Sequence, residues 1–422
     1  MRAQTQTGTL FALFALGFIL SPWPLGSNRD WAWPLLTVLY VCAGLGLLFR
    51  PQIHTLTTQH AKICMLAFAA SLAWLMVQWF GIPGLLEAPT IDSFATRKEF
   101  LKTVTYAGVF MLAIQLLRSQ DRITIMIYCV VLTGLLEALL GGIQQLIFDM
   151  PRARGSFPNP NHFAGYLEMV LGIAIGLILA KSDKDASGNQ FSVLNFLTGP
   201  LGRLRLIIII LVVALVMTRS RMGNIAFFSS LLLSAAVAFY YSRSFSRYTA
   251  ILLASILALD ALIIGNYFGI ERLGERLRNT TSEQNLRVDI LDYNLQIFQD
   301  HLWFGSGPGT YEAVFPPYRD ALLPKKATHA EMDYMELLIE LGLLGVLPLV
   351  IILATGLHAQ VRLLGRRASS FERGIAFGCL AGTVSLLIHG IADVNLQIPS
   401  NALLFVLLLA IPIALLESRE SS

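Results

Sequence analysis

The hydrophobic positions of this chain form long uninterrupted runs. Most runs are about 17–25 residues long, the length that an α-helix needs to cross the hydrocarbon core of a bilayer. Lipid offers the backbone no hydrogen bonds, so such runs have to form helices or a closed barrel, and their continuity favours helices. The pattern predicts twelve membrane spans, at residues 8–25, 31–49, 63–80, 102–118, 123–148, 162–180, 204–218, 222–242, 248–268, 333–356, 372–391 and 401–417.

The composition agrees with this prediction. Of the 422 residues, 55% are hydrophobic and 14% are charged, whereas an average soluble protein carries about 25% charged residues. We therefore expect an all-α membrane protein that forms a single polytopic domain over residues 1–422. The first run is interpreted as an uncleaved span, because only Arg2 precedes it and no small-residue cleavage site follows it.

The distribution of Lys and Arg predicts the orientation. If the N-terminus is cytoplasmic, the inner segments carry 16 of these residues and the short outer loops carry 8. Short cytoplasmic loops usually hold the excess of positive charge, so both termini are predicted to be cytoplasmic. One long loop, residues 269–332, then lies in the periplasm. The net charge of +4 reflects the same bias, and we expect no nucleic-acid partner.

The long loop contains one amphipathic segment. Its apolar residues recur at helical spacing, and polar residues occupy the opposite side. The segment predicts a helix that either lies at the membrane surface or packs over the spans, and the glycines of "GSGPG" (305–309) end it. The apolar positions are Val288, Leu291, Leu295, Phe298 and Leu302, and the polar ones are Asp289, Asp292, Gln296 and Gln299.

Few residues suggest a metal or redox site. Asp183 and Asp185 have the D-x-D spacing with which soluble glycosyltransferases hold a metal-bound nucleotide sugar, but the surrounding Ser, Gly and Asn favour a solvated linker. We expect no metal and no cofactor. The cysteines all fall within predicted spans, where they behave as small apolar residues; they are Cys42, Cys64, Cys129 and Cys379.

Two arginines interrupt the apolar pattern. Arg219 and Arg221 lie in a tight turn on the predicted outer side, which the positive-inside bias avoids. They either extend to outer lipid headgroups or bind a ligand. A guanidinium group can hold phosphate through two parallel hydrogen bonds.

Further arginines occur in other outer loops. Arg152 and Arg154 precede a span that Asn161 can cap, and Arg287 begins the amphipathic helix of the long loop. A helix N-terminus adds backbone donors for an anion. Three loops therefore supply groups for a membrane-embedded phosphate or pyrophosphate reached from outside.

A second polar feature is "KKATHAEMDYMELLIELGLLG". If a helix starts near its histidine, four ionisable residues form one stripe that enters a span: His329, Asp333, Glu336 and Glu340. Ionisable residues within spans are usually functional, and histidine is suited to accept a proton near neutral pH. The alternative is a solvated helix end that faces a water-filled crevice. His389 and Asp393 are also four residues apart, and we interpret them as a pair with a structural role.

These motifs together resemble the O-antigen ligase and polymerase superfamily of bacterial inner-membrane proteins. The resemblance covers about residues 150–400 and is specific in the order and spacing of its pieces. The pieces are "ARGSFPNPNHFAGYL", "SRMGN", "NLRVDILDYNLQIFQDHLWFGSGPGTYEAVF", "THAEMDYMELLIELGLLG" and "HGIADVNLQIPSNALLFVLL".

The resemblance implies a metal-independent glycosyltransferase with a GT-C-like membrane fold and a periplasmic active site. Such enzymes transfer a glycan from undecaprenyl pyrophosphate to an acceptor hydroxyl with inversion, and in ligases the acceptor is the lipid A–core oligosaccharide. The family's pyrophosphate-binding arginines match Arg221 and Arg287, and its histidine matches His329. Ala330 follows this histidine where the family often has Asn.

The remaining candidates have supporting roles in this interpretation. Arg219 and Arg154 are further pyrophosphate ligands, and Asp333 holds the imidazolium that forms on the histidine. Glu336 and Asn161 support the site.

Three other functions stay open. Polymerases of the superfamily tend to have two sizeable outer loops, and oligosaccharyltransferases that modify proteins often extend further at the C-terminus. The single long loop and the short segment after the twelfth predicted span therefore favour a ligase. A lipid flippase or transporter would also have many spans. We find no inverted repeat between the halves, however, and the polar residues gather at one face.

Overall fold

The computed structural model describes residues 2–49, 55–82, 84, 87, 89–185, 200–242, 281–319 and 327–420. Within these ranges the chain is helical and contains no strand. The helices are α1 (Arg2–Leu20), α2 (Ala32–Leu48), α3 (Gln59–Phe80), α4 (Ser93–Leu116), α5 (Gln120–Leu146), α6 (Pro160–Asp185), α7 (Pro200–Met217), α8 (Arg221–Ser242), α9 (Thr281–Asp300), α10 (Tyr311–Val314), α11 (Asp333–Leu363), α12 (Ser370–His389) and α13 (Pro399–Glu420).

The helices agree with the predicted class of membrane protein. Among the described residues, 7 helices are long and apolar enough to cross a bilayer, namely α3, α5, α6, α8, α11, α12 and α13. The apolar parts of α1 and α2 are shorter. The span predicted at 248–268 lies outside the described residues, and each of the other predicted spans overlaps a helix. The number twelve and the orientation stay predictions.

Helices α6 and α12 form the centre of the bundle. Glycines allow their backbones to touch: a Cβ on Gly176 would lie 2.6 Å from the carbonyl oxygen of Gly374, and one on Gly172 would lie 2.6 Å from the nitrogen of Gly382. Such small-residue contacts favour helix association in lipid. The middle of α6 is buried on all sides, which explains why it is apolar on every side apart from Glu168.

Several loops meet at one end of the bundle, which we call the site face. It comprises the described residues of segments 21–31, 81–92, 147–159, 218–220, 301–310, 327–332 and 390–398. The hydroxyl of Ser156 donates to the carbonyl of Pro22 at 2.7 Å, and the N–H of Ile91 donates to the carbonyl of Ser306 at 2.9 Å. The loops predicted to be outside the cytoplasm therefore contact one another.

Segments predicted to be cytoplasmic meet at the other end of the bundle. The carboxylate of Glu417, near the end of α13, accepts hydrogen bonds from the hydroxyls of Thr57 and Thr58 at 2.8 and 2.7 Å. Arg118, in the turn between α4 and α5, lies 3.8 Å from the same carboxylate. This face is thus closed by contacts among three separate parts of the chain.

Helix α11 is broken at Gly342, where the backbone adopts φ 65° and ψ 177°. The segment before α10 fills the break. The N–H groups of Ser306 and Gly307 donate to the carbonyls of Ile339 and Glu340 at 2.9 and 3.0 Å, and the N–H of Leu343 donates to the carbonyl of Leu302 at 2.9 Å. Backbone groups freed by the break are therefore paired, as a membrane helix requires.

Two side chains of α3 complete this pairing. The indole of Trp74 donates to the carbonyl of Leu341 at 3.0 Å, and the amide of Gln78 donates to the carbonyls of Phe304 and Glu340 at 2.7 and 2.8 Å. The first nine residues of α11 are thus a short separate helix. Tertiary hydrogen bonds, together with the covalent connection to the rest of α11, hold this short helix at the site face.

The predicted helix of the long loop is present as α9, but its packing differs from the sequence pattern. The side that packs against the protein contains Ile297 and the polar Asn294, both fully buried. Asn294 donates to the carbonyl of Ala330 at 3.1 Å and accepts the hydroxyl of Tyr311 at 2.6 Å. Leu291 and Leu295, from the predicted apolar stripe, are exposed. The burial of the polar Asn294 is possible because both of its side-chain groups have protein partners.

Candidate functional site

His329 lies at the site face and contacts Glu336. Its Nδ1 atom is 2.8 Å from Oε1 of Glu336, and the second oxygen of that carboxylate accepts the N–H of Ala330 at 2.8 Å. Glu336 is 2% exposed, whereas the His329 side chain is 37% exposed. The buried carboxylate thus holds an imidazole that a substrate can reach.

The surroundings of His329 favour its protonated form. Partial burial acts to lower the pKa of His329, but the hydrogen bond and charge of Glu336 act against it. The charges of Glu331 and Asp333 add to this effect, so the pKa of His329 is raised above its ordinary value. Glu336 therefore favours the imidazolium form of His329.

The expectation that Asp333 holds the imidazole is wrong in this structure. Its carboxylate accepts the N–H groups of Asn395 and Leu396 at 3.1 and 3.0 Å, and its own N–H donates to the carbonyls of Gly390 and Asp393. Asp333 lies away from the imidazole because the helix starts later than the sequence pattern assumed.

The sequence-based stripe assumed that the helix begins at His329, but α11 begins at Asp333. Glu331 has φ 60°, so the chain turns before the helix and His329 is brought towards Glu336. The stripe also fails at Glu340, whose carboxylate accepts the N–H of Tyr311 at 3.1 Å. The four residues of the predicted stripe therefore do not form one polar surface. His329 and Glu336 pair with each other, Asp333 bonds to segment 395–396, and Glu340 bonds to Tyr311.

The arginine turn, residues 218–221, connects α7 and α8. Ser220 caps α8, because its hydroxyl accepts the N–H of Gly223 at 3.2 Å. Arg219 adopts φ 52°, a left-handed conformation that is uncommon outside glycine. Arg221 is the first residue of α8 and is exposed at the site face.

The two arginines of the loop before α6 differ in their environment. Arg152 donates to the carbonyl of Thr218 at 2.7 Å and to the side-chain oxygen of Asn161. Arg154 is exposed. Arg152 thus contacts the arginine turn directly, a role that the sequence did not predict. The prediction that Asn161 caps the span is wrong: α6 begins at Pro160, the N–H of Asn161 donates to Oδ1 of Asn159 at 2.9 Å, and the Asn161 side chain holds Arg152 instead.

Asp393 connects the loop after α12 to α6. Its carboxylate accepts the amide N–H of Asn161 at 2.6 Å and the N–H of Val394 at 2.8 Å, and it lies 3.4 Å from Nε2 of His162. Burial acts to raise the pKa of Asp393, but His162, His389 and the Val394 N–H lower it to about 2. Asp393 is therefore ionised at neutral pH.

His389 does not pair with Asp393, contrary to the spacing in the sequence. Helix α12 ends at His389, and its Nδ1 atom lies 2.8 Å from Oε1 of Glu168 on α6. Ser385 donates to the other oxygen of Glu168 at 2.6 Å. All three side chains are fully buried. Glu168 was not singled out in the sequence, although an acidic residue inside an apolar span is a signal for such a partner.

The structure brings most of the predicted site residues to one face. His329 and Glu336 stand at the start of α11, and Arg221 stands at the start of α8. Arg287 belongs to α9, but the structure describes only its backbone. Within the described ranges, no three His, Cys, Asp or Glu side chains are grouped as metal ligands. The expectation of a metal-independent reaction stays a prediction.

Fold and site together define an all-helical membrane protein with an arginine turn and a histidine–glutamate pair at one face. Residues 206–350 match the family described as O-antigen ligase, and this match confirms the resemblance to the O-antigen ligase and polymerase superfamily over that part of the chain. The matched part includes the arginine turn, Arg287 and the His329–Glu336 pair. No curated protein matches the chain.

Proposed function

We propose that this protein is an O-antigen ligase of the bacterial inner membrane. It transfers a glycan from undecaprenyl pyrophosphate to a hydroxyl group of the lipid A–core oligosaccharide, at the periplasmic face. The observation that carries the proposal is the exposed imidazole of His329, paired with buried Glu336 at the face that also holds the arginine turn. This arrangement supplies a base for an acceptor and cations for a phosphorylated donor.

In the proposed reaction, His329 activates the acceptor. Nδ1 contacts Glu336, so Nε2 is the atom that takes the proton from the attacking hydroxyl. The hydroxyl oxygen forms a bond to the anomeric carbon from the side opposite the pyrophosphate, and the anomeric C–O bond breaks. Undecaprenyl pyrophosphate leaves with the bonding electrons, and the anomeric configuration is inverted. Glu336 stabilises the imidazolium that results.

The arginines act on the leaving group. Negative charge on the pyrophosphate grows as the anomeric bond breaks, and fixed cations stabilise the transition state more than the bound donor. Arg221 and Arg287 have this role, and Arg219 and Arg154 contribute further positive charge. The donor already contains the energy for transfer in its sugar–pyrophosphate bond. This suits a site outside the cytoplasm, where no ATP is available to drive the reaction.

The proposed function also requires one orientation in the membrane. Both termini are cytoplasmic, and the site face opens to the periplasm. The contacts among the loops predicted to be outer support their location on one side of the bilayer, since loops on opposite sides cannot touch. The excess of Lys and Arg in the other segments supports the periplasm as that side.

The second candidate is an O-antigen or exopolysaccharide polymerase that uses the same donor. Both activities need the same base and the same cations, and they differ in the acceptor. A strain that lacks the gene distinguishes them. Loss of a ligase leaves lipid A–core without O-chains and lets lipid-linked polymer accumulate, whereas loss of a polymerase leaves core capped by a single repeat.

Purified protein tests the role of His329. A positioned base typically contributes about 10²–10⁴-fold to a rate, so His329→Ala should lose transfer by that factor while donor binding persists. His358→Ala is the control, because His358 pairs with His60 elsewhere in the bundle at 3.0 Å. Unchanged transfer in His329→Ala, or a loss explained by donor binding alone, would contradict the role of base.

A further inference from the structure

Arg152, Asn161 and Asp393 form a continuous row of side chains at the site face. The guanidinium of Arg152 donates to Oδ1 of Asn161, and Nδ2 of Asn161 donates to Oδ2 of Asp393 at 2.6 Å. The three residues come from the loop before α6, the start of α6 and the loop after α12. Asp393 is 5% exposed, so its carboxylate is largely removed from water.

The row has a fixed direction. A guanidinium can only donate hydrogen bonds, an ionised carboxylate can only accept them, and an amide can do each with a different atom. Asn161 is therefore held in one orientation, with its oxygen towards Arg152 and its nitrogen towards Asp393. A carboxylate at position 161 would still accept from Arg152 but would face Asp393 with like charge.

Each end of the row is attached to a different half of the site. Arg152 donates to the carbonyl of Thr218, which begins the arginine turn. At the other end, the backbone carbonyl of Asp393 accepts the N–H of Asp333, the first residue of α11. His329 lies four residues before Asp333 and Glu336 lies three residues after it. The row therefore connects the cations of the site with its base.

We propose that Arg152, Asn161 and Asp393 are positioning residues, which fix the distance between the arginine turn and the His329–Glu336 pair. This inference rests on the proposed function. Transfer requires the anomeric carbon of a donor held by the arginines and the oxygen of an acceptor held at His329 to be in attack geometry. A displacement of about 1 Å between two such groups can cost about 10²-fold in rate.

A reversal of the row tests the proposal. Asn161→Asp and Asp393→Asn should each lower kcat by about 10- to 100-fold. Both variants should keep the affinity for the lipid-linked donor, because Arg152 still holds Thr218. The double variant reverses the direction of the second hydrogen bond: the amide at 393 donates to the carboxylate at 161, and its oxygen accepts the N–H of Val394. It should recover most of the lost kcat.

Glu417→Gln is the matched control. Glu417 is also a buried carboxylate that accepts several hydrogen bonds, but it lies at the opposite face. Its loss should lower the melting temperature and leave kcat unchanged. A role in stability alone would affect all of these carboxylate variants in the same way, whereas positioning separates kcat from melting temperature.

Two outcomes would overturn the inference. A double variant no more active than the worse single variant would show that the direction of the row does not matter. If the single variants do not accumulate, the comparison is made on the double variant: recovery of folded protein without recovery of transfer would assign the row to stability. Failure of the proposed function is distinct, because then the wild-type protein itself transfers no glycan.

Discussion

One carboxylate holds both the ring and the backbone of the residue pair at 329–330. Oε1 of Glu336 lies 2.8 Å from Nδ1 of His329, and Oε2 accepts the N–H of Ala330 at 2.8 Å. A bidentate contact of this kind fixes the imidazole in place as well as its charge. Glu336 therefore holds the position of the His329 ring and places a carboxylate directly beside it.

The pH dependence of transfer should report this pair. The pKa of His329 is raised, so the imidazole is protonated below that pKa and cannot accept a proton from the acceptor. Transfer should rise with pH through this value. Glu336→Gln removes the largest charge that raises the pKa, so the acidic limb should move to lower pH.

Glu331→Gln is the control for that shift. Glu331 also raises the pKa of His329, but it acts by its charge alone. In Glu331→Gln the acidic limb of the pH profile should therefore move to lower pH by less than it does in Glu336→Gln. An unchanged acidic limb in Glu336→Gln, measured as kcat against pH, would mean that His329 is not the titrating base.

The arginines should differ in their tolerance of lysine. Arg221→Ala and Arg287→Ala should abolish transfer while the protein still inserts, and Lys should rescue both poorly because it lacks the planar fork. Substitution of Arg154 or Arg219 should have smaller effects. Near-full activity of Arg221→Lys and Arg287→Lys, in an assay with lipid-linked donor, would argue against bidentate binding of pyrophosphate.

The break in α11 should depend on Gly342. A Cβ at this position would lie 2.5 Å from the carbonyl oxygen of Trp303 and 2.6 Å from the nitrogen of Gly305, and φ is 65°. Strain of this kind costs of the order of 1–3 kcal/mol, so Gly342→Ala should lower the melting temperature in detergent.

A second glycine provides the comparison for Gly342. Gly142 lies within α5, and a Cβ there would meet nothing within 4 Å. Gly142→Ala should be neutral or slightly stabilising, since alanine is the better helix former. Equal melting temperatures for the two variants would show that the break does not need glycine.

The predicted orientation can be tested by labelling with a reagent that does not cross the membrane. In a background without the native cysteines, Ala313→Cys should react from the periplasm and Ser244→Cys should not. Ala313 is exposed at the site face, between Thr310 and Phe315. Periplasmic labelling of position 244 would invert the topology and move the proposed site to the cytoplasm.

The sequence predicted the helices well because run length alone determines what can cross a bilayer. It also led to His329, Glu336 and the arginine turn, since ionisable groups are rare in such runs. It could not predict their partners. Glu168 and His389 are 221 residues apart and meet only because the glycines of α6 and α12 allow these helices to touch.

Local geometry accounts for the error at Asp333. Helical spacing places Asp333 beside His329 only if the helix includes both residues. The left-handed turn at Glu331 delays the start of the helix to Asp333. No residue type in "HAEMD" marks that turn, because the segment contains neither glycine nor proline. Asp333 then bonds to segment 390–396, and the histidine pairs with Glu336 instead.

The pairing around Gly342 also bears on local opening of the folded protein. Amides of segment 302–307 and of α11 exchange hydrogen bonds in both directions: Ser306 and Gly307 donate to α11, and Leu343 donates back. Neither segment can loosen without exposing unpaired groups on the other. The backbone amides of Ser306, Gly307 and Leu343 therefore belong to one cooperative unit, and solvent hydrogen should reach all three at a common rate.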